Sequence, residues 1–320
     1  MVVVTIAKSN ADANEKKDEK YWNYECYNIP TGCIEKYQIY QRMGRGKYSE
    51  VFEGRKDKEK IVIKTLKPVR KAKISREVLI LKSLSHKNII KLIDVVVDSE
   101  SQIYSLIFEY IEHEDYAKIF EKLSYMDIIE YSKQILSALD YCHSMGIIHR
   151  DIKPQNMVIN RERRELKIID WGLAEFYHPK KEYSVRVASR YYKSPELLVD
   201  YPYYDYSLDI WSFGCVLAEL IFKKRPFFHG ESNSDQLVKI ARVLGYTDLR
   251  KYIEKYRIAP LSPKHEGTGE RVLLSSFVPL GKANLYIHAI DLLEKILVYD
   301  HQSRPTAEEC LRHPLFKLEH

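Results

Sequence analysis

The chain has 320 residues, 45% hydrophobic and 30% charged, with a formal net charge of +6, which describes an ordinary soluble globular protein whose core divides between two lobes. No apolar run approaches the roughly 20 residues that span a bilayer, and no basic residue precedes the apolar Met1–Ala7 as in a secretory signal. Cys26, Cys33, Cys142, Cys215 and Cys310 are scattered without a C-x-x-C pair, so neither a disulfide framework nor a zinc site is suggested and an intracellular protein with reduced thiols is expected.

Residues 1–20 become polar and lysine-rich after the first few positions and are expected to form a mobile tail. Residues 21–36 open on Tyr21-Trp22-Asn23-Tyr24-Glu25, too rich in large rings for a disordered tail, and are expected to pack on the body. From 37 to 111 the signals are for strands, among them Val51-Phe52-Glu53-Gly54, Ile61-Val62-Ile63 and Tyr104–Phe108. One helix interrupts them at Ser75–Leu84, where Val78, Leu81 and Leu84 have helical spacing. From 112 to 317 the pattern is helical, clearest in Asp127–His143, Ser207–Ile221 and Ala289–Leu297. The stretch Cys215–Phe222, broken by Glu219, reads as a buried helix. The fold class expected is α+β: a small antiparallel β-sheet lobe with one helix, then a larger, mainly α-helical lobe.

Gly44-Arg45-Gly46-Lys47-Tyr48-Ser49-Glu50-Val51 lies between two strand-like stretches, where glycines let a backbone turn approach phosphate oxygens. Alone this is a weak signal, because Ser49 replaces a third glycine. Lys64 ends an apolar strand, and a lysine there requires an anion, for which Glu77 is the natural partner; the alternative is two surface charges. Lys64, Lys67, Arg70, Lys71, Lys73 and Arg76 form a run without acid, read as a solvated helix face, a nucleic-acid patch or a dock for acidic protein. Nucleic acid is disfavoured because no stacking aromatics interleave the run.

His149-Arg150-Asp151-Ile152-Lys153-Pro154-Gln155-Asn156 is far more specific. Asp151 can accept a hydrogen bond from an attacking hydroxyl, Lys153 can neutralise a transferring phosphoryl group, and Asn156 offers oxygen to Mg²⁺. Asp170, in Ile168-Ile169-Asp170-Trp171-Gly172, supplies a second hard ligand. Glu196 with Arg304, and Asp209 with Trp211 and Gly214, read as scaffold.

Taken in order, G-x-G, the strand lysine, the helix glutamate, H-R-D-x-K-x-x-N, D-x-G and x-P-E resemble the protein-kinase set over about residues 37–317. Lys153 resembles the serine/threonine branch. Finer similarity is to the casein kinase II α family: Gly44–Glu53, Asp170–Pro179 with Trp171 in place of the usual Phe, Val185–Lys193, Asp205–Asp209 and Tyr299–Arg304. The resemblance implies a bilobal protein-kinase fold, with an upper lobe at 37–111 and a lower lobe at 112–317. It also implies a non-specific serine/threonine protein kinase using ATP, or GTP, with Mg²⁺. Catalysis would fall to Asp151, Lys153 and Lys64, and metal binding to Asn156 and Asp170. The nucleotide would meet Gly44, Arg45, Gly46, Lys47, Tyr48 and Ser49 of the loop, and Lys64 with Glu77. Val51, Val62, Val158 and Ile169 would wall the adenine, with Phe108 behind it and the backbone of Glu109 to Ile111 giving hydrogen bonds.

The family phosphorylates Ser/Thr followed by acids, so acidic protein substrates are implied, with Lys47, Arg70, Lys71, Lys73, Arg76, Arg186, Arg190 and Lys193 as their anion-binding floor. It needs no activation-loop phosphorylation; here Tyr21–Tyr27 would hold that loop open. A regulatory β subunit would dock on the outer sheet of the upper lobe, with Phe52 a candidate contact, in a tetramer of two α and two β chains. The implied location is nucleus and cytoplasm, away from membranes. Ala72 and Ser75 interrupt the family's basic helix, the turn between Phe52 and Ile61 is shortened, and residues 259–285 match poorly, so nothing is carried over for them. The alternatives are a proline-directed kinase of a neighbouring group, and a pseudokinase scaffold, which usually lacks one of the three central residues present here.

Overall fold

Strand β3 (Glu59–Leu66) shows how the upper lobe is built, because its side chains alternate between two destinations. Ile61 and Ile63 are buried in an outer cluster with Val96, Ile107, Tyr37 and Phe52. Val62 and Leu66 pack against the main core instead. The computed structural model, which describes residues 2–259, 269–278 and 286–317, completes the sheet with β1 (Tyr37–Arg45), β2 (Ser49–Lys56), β4 (Leu92–Val97) and β5 (Tyr104–Glu109). The order is β1-β2-β3-β5-β4, and every pair is antiparallel. Lys56 pairs with Glu59, so β2 and β3 are joined by only Asp57 and Lys58. Asp57 takes a left-handed φ of 54° there, which a short polar side chain tolerates.

The upper lobe's helix is Lys71–Ser83, starting four residues before the sequence expectation, and it buries Ile74, Glu77, Val78, Ile80 and Leu81. In the lower lobe, helix Tyr125–Ser144 begins at a reciprocal capping box between Ser124 and Asp127. Helix Ser207–Phe222 is buried along its whole length and forms the central post. Helices Tyr125–Ser144 and Ile287–Ile296 pack against it. Two short ribbons carry the connecting loops: β6 (Ile147–Ile148) pairs with β9 (Glu175–Phe176), and β7 (Met157–Asn160) with β8 (Glu165–Ile168). The fold is α+β, as expected. Among the described residues no helix is long and apolar enough to cross a membrane.

Arg304 grips Glu196 through two bonds of 2.7 Å, both side chains fully buried. Its remaining donors go to the carbonyls of Val298, Ser207 and Tyr299, so the buried charge is fully hydrogen-bonded.

The N-terminal segment departs from expectation. Residues 1–20 were expected as a mobile tail; where described, from residue 2, they are stitched to the lower lobe. Thr5 Oγ1 donates to the Tyr203 carbonyl at 2.9 Å, and Ala7 N donates to the Tyr177 hydroxyl at 2.8 Å. Asn14 is fully buried and donates to the carbonyls of Gly146 and Tyr177. Composition misleads here because single buried polar residues, rather than an apolar stripe, carry the attachment. Of residues 259–285, only 259 and 269–278 lie among the described ones.

Candidate active site

Register decides what faces the cleft between the lobes. Across β2 and β3, Val51 is directly opposite Lys64, and across β3 and β5, Phe108 is opposite Val62. Directly opposed residues share a face, so these four lie on the cleft side of the sheet while Ile61 and Ile63 face outward. Val158 lies on β7, and Ile169 follows β8 with its N–H donating to the Asn156 carbonyl at 2.9 Å.

Lys64 reaches across the lobes. Its ammonium is 2.7 Å from Glu77 and 2.7 Å from Asp170, with the Lys64 and Glu77 side chains only 13% and 6% exposed. The surface-charge alternative is thereby excluded. Burial alone would lower the Lys64 pKa, but the charges of Glu77 and Asp170 outweigh it and hold the value above that of an ordinary lysine. Burial likewise pushes Asp170 up, and Lys64 reverses it, so Asp170 stays an anion with a lowered pKa.

The loop that carries Asp151 hangs from one buried carboxylate. Asp209, on the central helix, accepts the backbone N–H groups of His149 and Arg150, both at 2.8 Å, and lies 3.0 Å from His143 Nε2. Burial acts to raise the Asp209 pKa, but the His143 contact and the His149 charge leave it lowered. Beyond this anchor, one oxygen of Asp151 accepts from Lys153 at 2.7 Å and Asn156 at 3.0 Å. The other accepts from the N–H and hydroxyl of Ser189, at 2.9 and 3.0 Å. Asn156 gives its second amide hydrogen to the Asp151 carbonyl, which turns its oxygen the other way. Arg150, Asp170 and Ala188 hold left-handed φ values of 66°, 57° and 60°. Such non-glycine conformations cost of order 1–3 kcal/mol each and persist where surroundings over-determine them.

The glycine-rich turn joins β1 to β2. A Cβ on Gly44 would meet nothing within 4 Å, and one on Gly46 nothing nearer than the Ser49 carbonyl at 3.5 Å. That open concavity, with half-exposed Asp170 and the Asn156 oxygen below, fits a phosphate chain carrying magnesium. Around it, Arg45 pairs with Glu50 at 3.1 Å, and Lys47 lies over the exposed Tyr48 ring at 5.1 Å. At the back, Glu109 Oε1 accepts from Lys91 N and Lys167 Nζ, and the Ile111 carbonyl is 2.8 Å from His113 Nδ1.

Of the basic residues expected to bind acidic substrate, Lys47, Arg70, Lys71, Lys73, Arg186 and Arg190 are exposed. Two must be corrected. Arg76 turns inward, 2.8 Å from Glu175 and hydrogen-bonded to the Gly172 carbonyl, and Lys193 is 7% exposed with its ammonium on the Val187 carbonyl. Burial pushes the Lys193 pKa down. Both are consumed by internal acceptors.

Glu175 and Ser189 contact the candidate site residues and were passed over by motif reading. Glu175 sits between Arg76 and the Arg150 guanidinium, 3.6 Å from the latter. An acid in the buried strand Glu175–Phe176 was a visible signal; Ser189, 38 positions from Asp151, left none. Tyr21 packs edge-on to Phe176 and Trp22 to His178, at 5.5 and 4.7 Å between ring centres, joining the aromatic N-terminal segment to the chain after Asp170.

The protein kinase domain family matches residues 37–316. Over 317 residues, 99% of either chain, the sequence is 86% identical to the probable casein kinase II subunit alpha homolog of Encephalitozoon cuniculi (strain GB-M1).

Proposed function

The chain belongs to the protein kinase family, within its casein kinase II α group, and from that premise we propose that it phosphorylates serine or threonine followed by acidic residues, using ATP or GTP and needing no phosphate on its own activation segment. The magnesium-bound nucleotide supplies the phosphoryl group, and its metal offsets phosphate charge. Asp170 and the Asn156 oxygen would hold magnesium, which takes few protein ligands and prefers oxygen. Lys64, fixed by Glu77, orients the phosphates. Asp151 accepts the hydrogen bond of the substrate hydroxyl, and Lys153, beside it, steadies developing negative charge. The observation that carries this reading is Lys64 joining Glu77 to Asp170 across the two lobes.

Independence from phosphorylation rests on Glu175. Activation segments are commonly ordered by a phosphate paired with arginine; here a carboxylate of the chain itself already meets Arg150 and Arg76. Acidic preference rests on the exposed basic residues that remain, chiefly Arg70, Lys71, Lys73, Arg186 and Arg190. For a regulatory β subunit, the outer sheet offers Ile39, which is 58% exposed and opposite Gly54 on the same face as half-buried Phe52. Nucleus and cytoplasm follow as the proposed location by family analogy.

A peptide panel with acidic, neutral and proline-flanked serines tests the specificity. Acidic peptides are expected to react at least about tenfold faster, a difference of about 1.4 kcal/mol, whereas preference for proline would refute the assignment. Asp151→Asn is expected to lower turnover about 1,000-fold with nucleotide still bound. Near-normal turnover in that variant would remove Asp151 from the chemistry.

A further inference from the structure

Beyond the cleft, a concavity of about 360 Å³ lies between the start of the Lys224–His229 segment and helix Asn233–Leu244. It is lined by Lys224, Phe227, Phe228, His229, Lys239, Arg242 and Val243, with no carboxylate in the lining. Arg242 is exposed and makes no ion pair or hydrogen bond among the described residues. Lys224 rests over the rings of Phe227 and Phe277, at 5.5 and 5.7 Å, rather than against an acid. Lys239 has a carboxylate, Asp235, only at 3.8 Å. Concave walls of one sign focus potential toward an oppositely charged visitor.

The groove is tied to the substrate side of the catalytic domain. The His229 ring packs edge-on to Tyr191, 5.1 Å between centres, and Tyr191 directly follows the exposed Arg190. Gln236, fully buried, donates to the carbonyls of both Tyr191 and Phe228, which locks the groove to the end of the activation segment. Nucleic acid is the poorer occupant. Single strands need exposed ring faces to stack on, and Phe227 and Phe228 are each only 2% exposed.

We propose that this groove is a second docking site for acidic segments of protein substrates, separate from the basic residues that read the acids next to the phosphoacceptor. The proposal deepens the acidic-substrate reading and rests on it for the identity of the partner. It predicts that substrates carrying a distal acidic tract gain affinity through Lys224, Lys239 and Arg242 without any change in the chemical step.

The test uses the full chain and two acceptor peptides: a short one with acids beside the serine, and the same peptide extended through a neutral spacer into an acidic tract. Wild type is expected to show a KM about five- to tenfold lower for the extended peptide at equal kcat. Lys224→Glu with Arg242→Glu is expected to abolish that gain while leaving the short peptide unchanged; Lys224→Gln with Arg242→Gln provides the milder pair should the reversal misfold. Charge reversal at Lys251, exposed on another helix, is expected to leave the gain intact. No gain in wild type, or a gain that survives both pairs, overturns the groove. Competition by a single-stranded oligonucleotide at these residues, with none by the acidic tract, overturns it in favour of nucleic acid. The acidic-substrate reading fails separately, when the short acidic peptide is no better than its neutral counterpart.

Discussion

Glu175 illustrates how one residue joins fold and activity. Its side chain is 7% exposed and lies between the guanidiniums of Arg76 and Arg150, which are 13% and 4% exposed. Arg150 also donates to the Leu173 carbonyl and the Tyr204 hydroxyl, so it cannot swing out to water without breaking those contacts. Removing the one carboxylate leaves two nearly buried cations facing each other, and breaking a buried pair typically costs about 3–5 kcal/mol. Glu175→Gln is therefore expected to lose about 3 kcal/mol of stability in urea unfolding and at least about tenfold in turnover. Wild-type values in both measurements would show that the carboxylate does not hold the segment.

At the scale of an element, the central helix Ser207–Phe222 carries an acid whose role contrasts with that of its other acid. Asp209 is satisfied by the loop that carries Asp151, whereas neither oxygen of Glu219 makes a well-formed hydrogen bond among the described residues, Tyr192 and the Phe227 backbone being only weak donors to it. Burial pushes Glu219 up from 4.5 to about 7, against weaker opposing pulls from Tyr192, Arg225 and the Phe227 backbone. A raised carboxyl pKa means that the fold prefers the neutral acid. Its contribution is complete below about pH 4.5 and is lost as pH rises through about 7. Glu219→Gln keeps the shape without the charge. It is expected to match wild type near pH 4.5 and to exceed it by about 3 kcal/mol at pH 8, read from denaturant midpoints at each pH. A stability difference that does not vary with pH would show that Glu219 ionises freely.

Across the whole molecule, the first residues act as a strap rather than a tail. Val3 N donates to the Tyr256 carbonyl, Tyr206 donates to the Asn10 carbonyl, and Asn14 holds the turn at Gly146 to Tyr177. Asn14→Ala takes the side-chain donor from the Tyr177 carbonyl, which is left to bear its desolvation cost of about 1–3 kcal/mol, while the Gly146 carbonyl keeps the Tyr177 N–H at 2.8 Å. The melting temperature should fall by about 2–6 °C. An unchanged melting temperature would restore the picture of a loose N-terminus.

Much of the fold and of the candidate site could be read directly from residues. The apolar strand run Ile61–Ile63 ending in Lys64, the periodicity of Asp127–His143 and the spacing of Asp151, Lys153, Asn156 and Asp170 are local properties, each set by a repeat length or by a few neighbouring side chains. Whether a charge is available was decided only by tertiary packing. Arg76 and Lys193 belong to basic surroundings in sequence, yet long-range contacts turn one to Glu175 and the other into the interior. Ser189 reaches Asp151, and Asn14 reaches Gly146, across separations that no local pattern encodes. The physical reason is that a buried polar group must find a partner wherever the folded chain offers one, so its partner is determined by the assembled fold and not by the residues beside it.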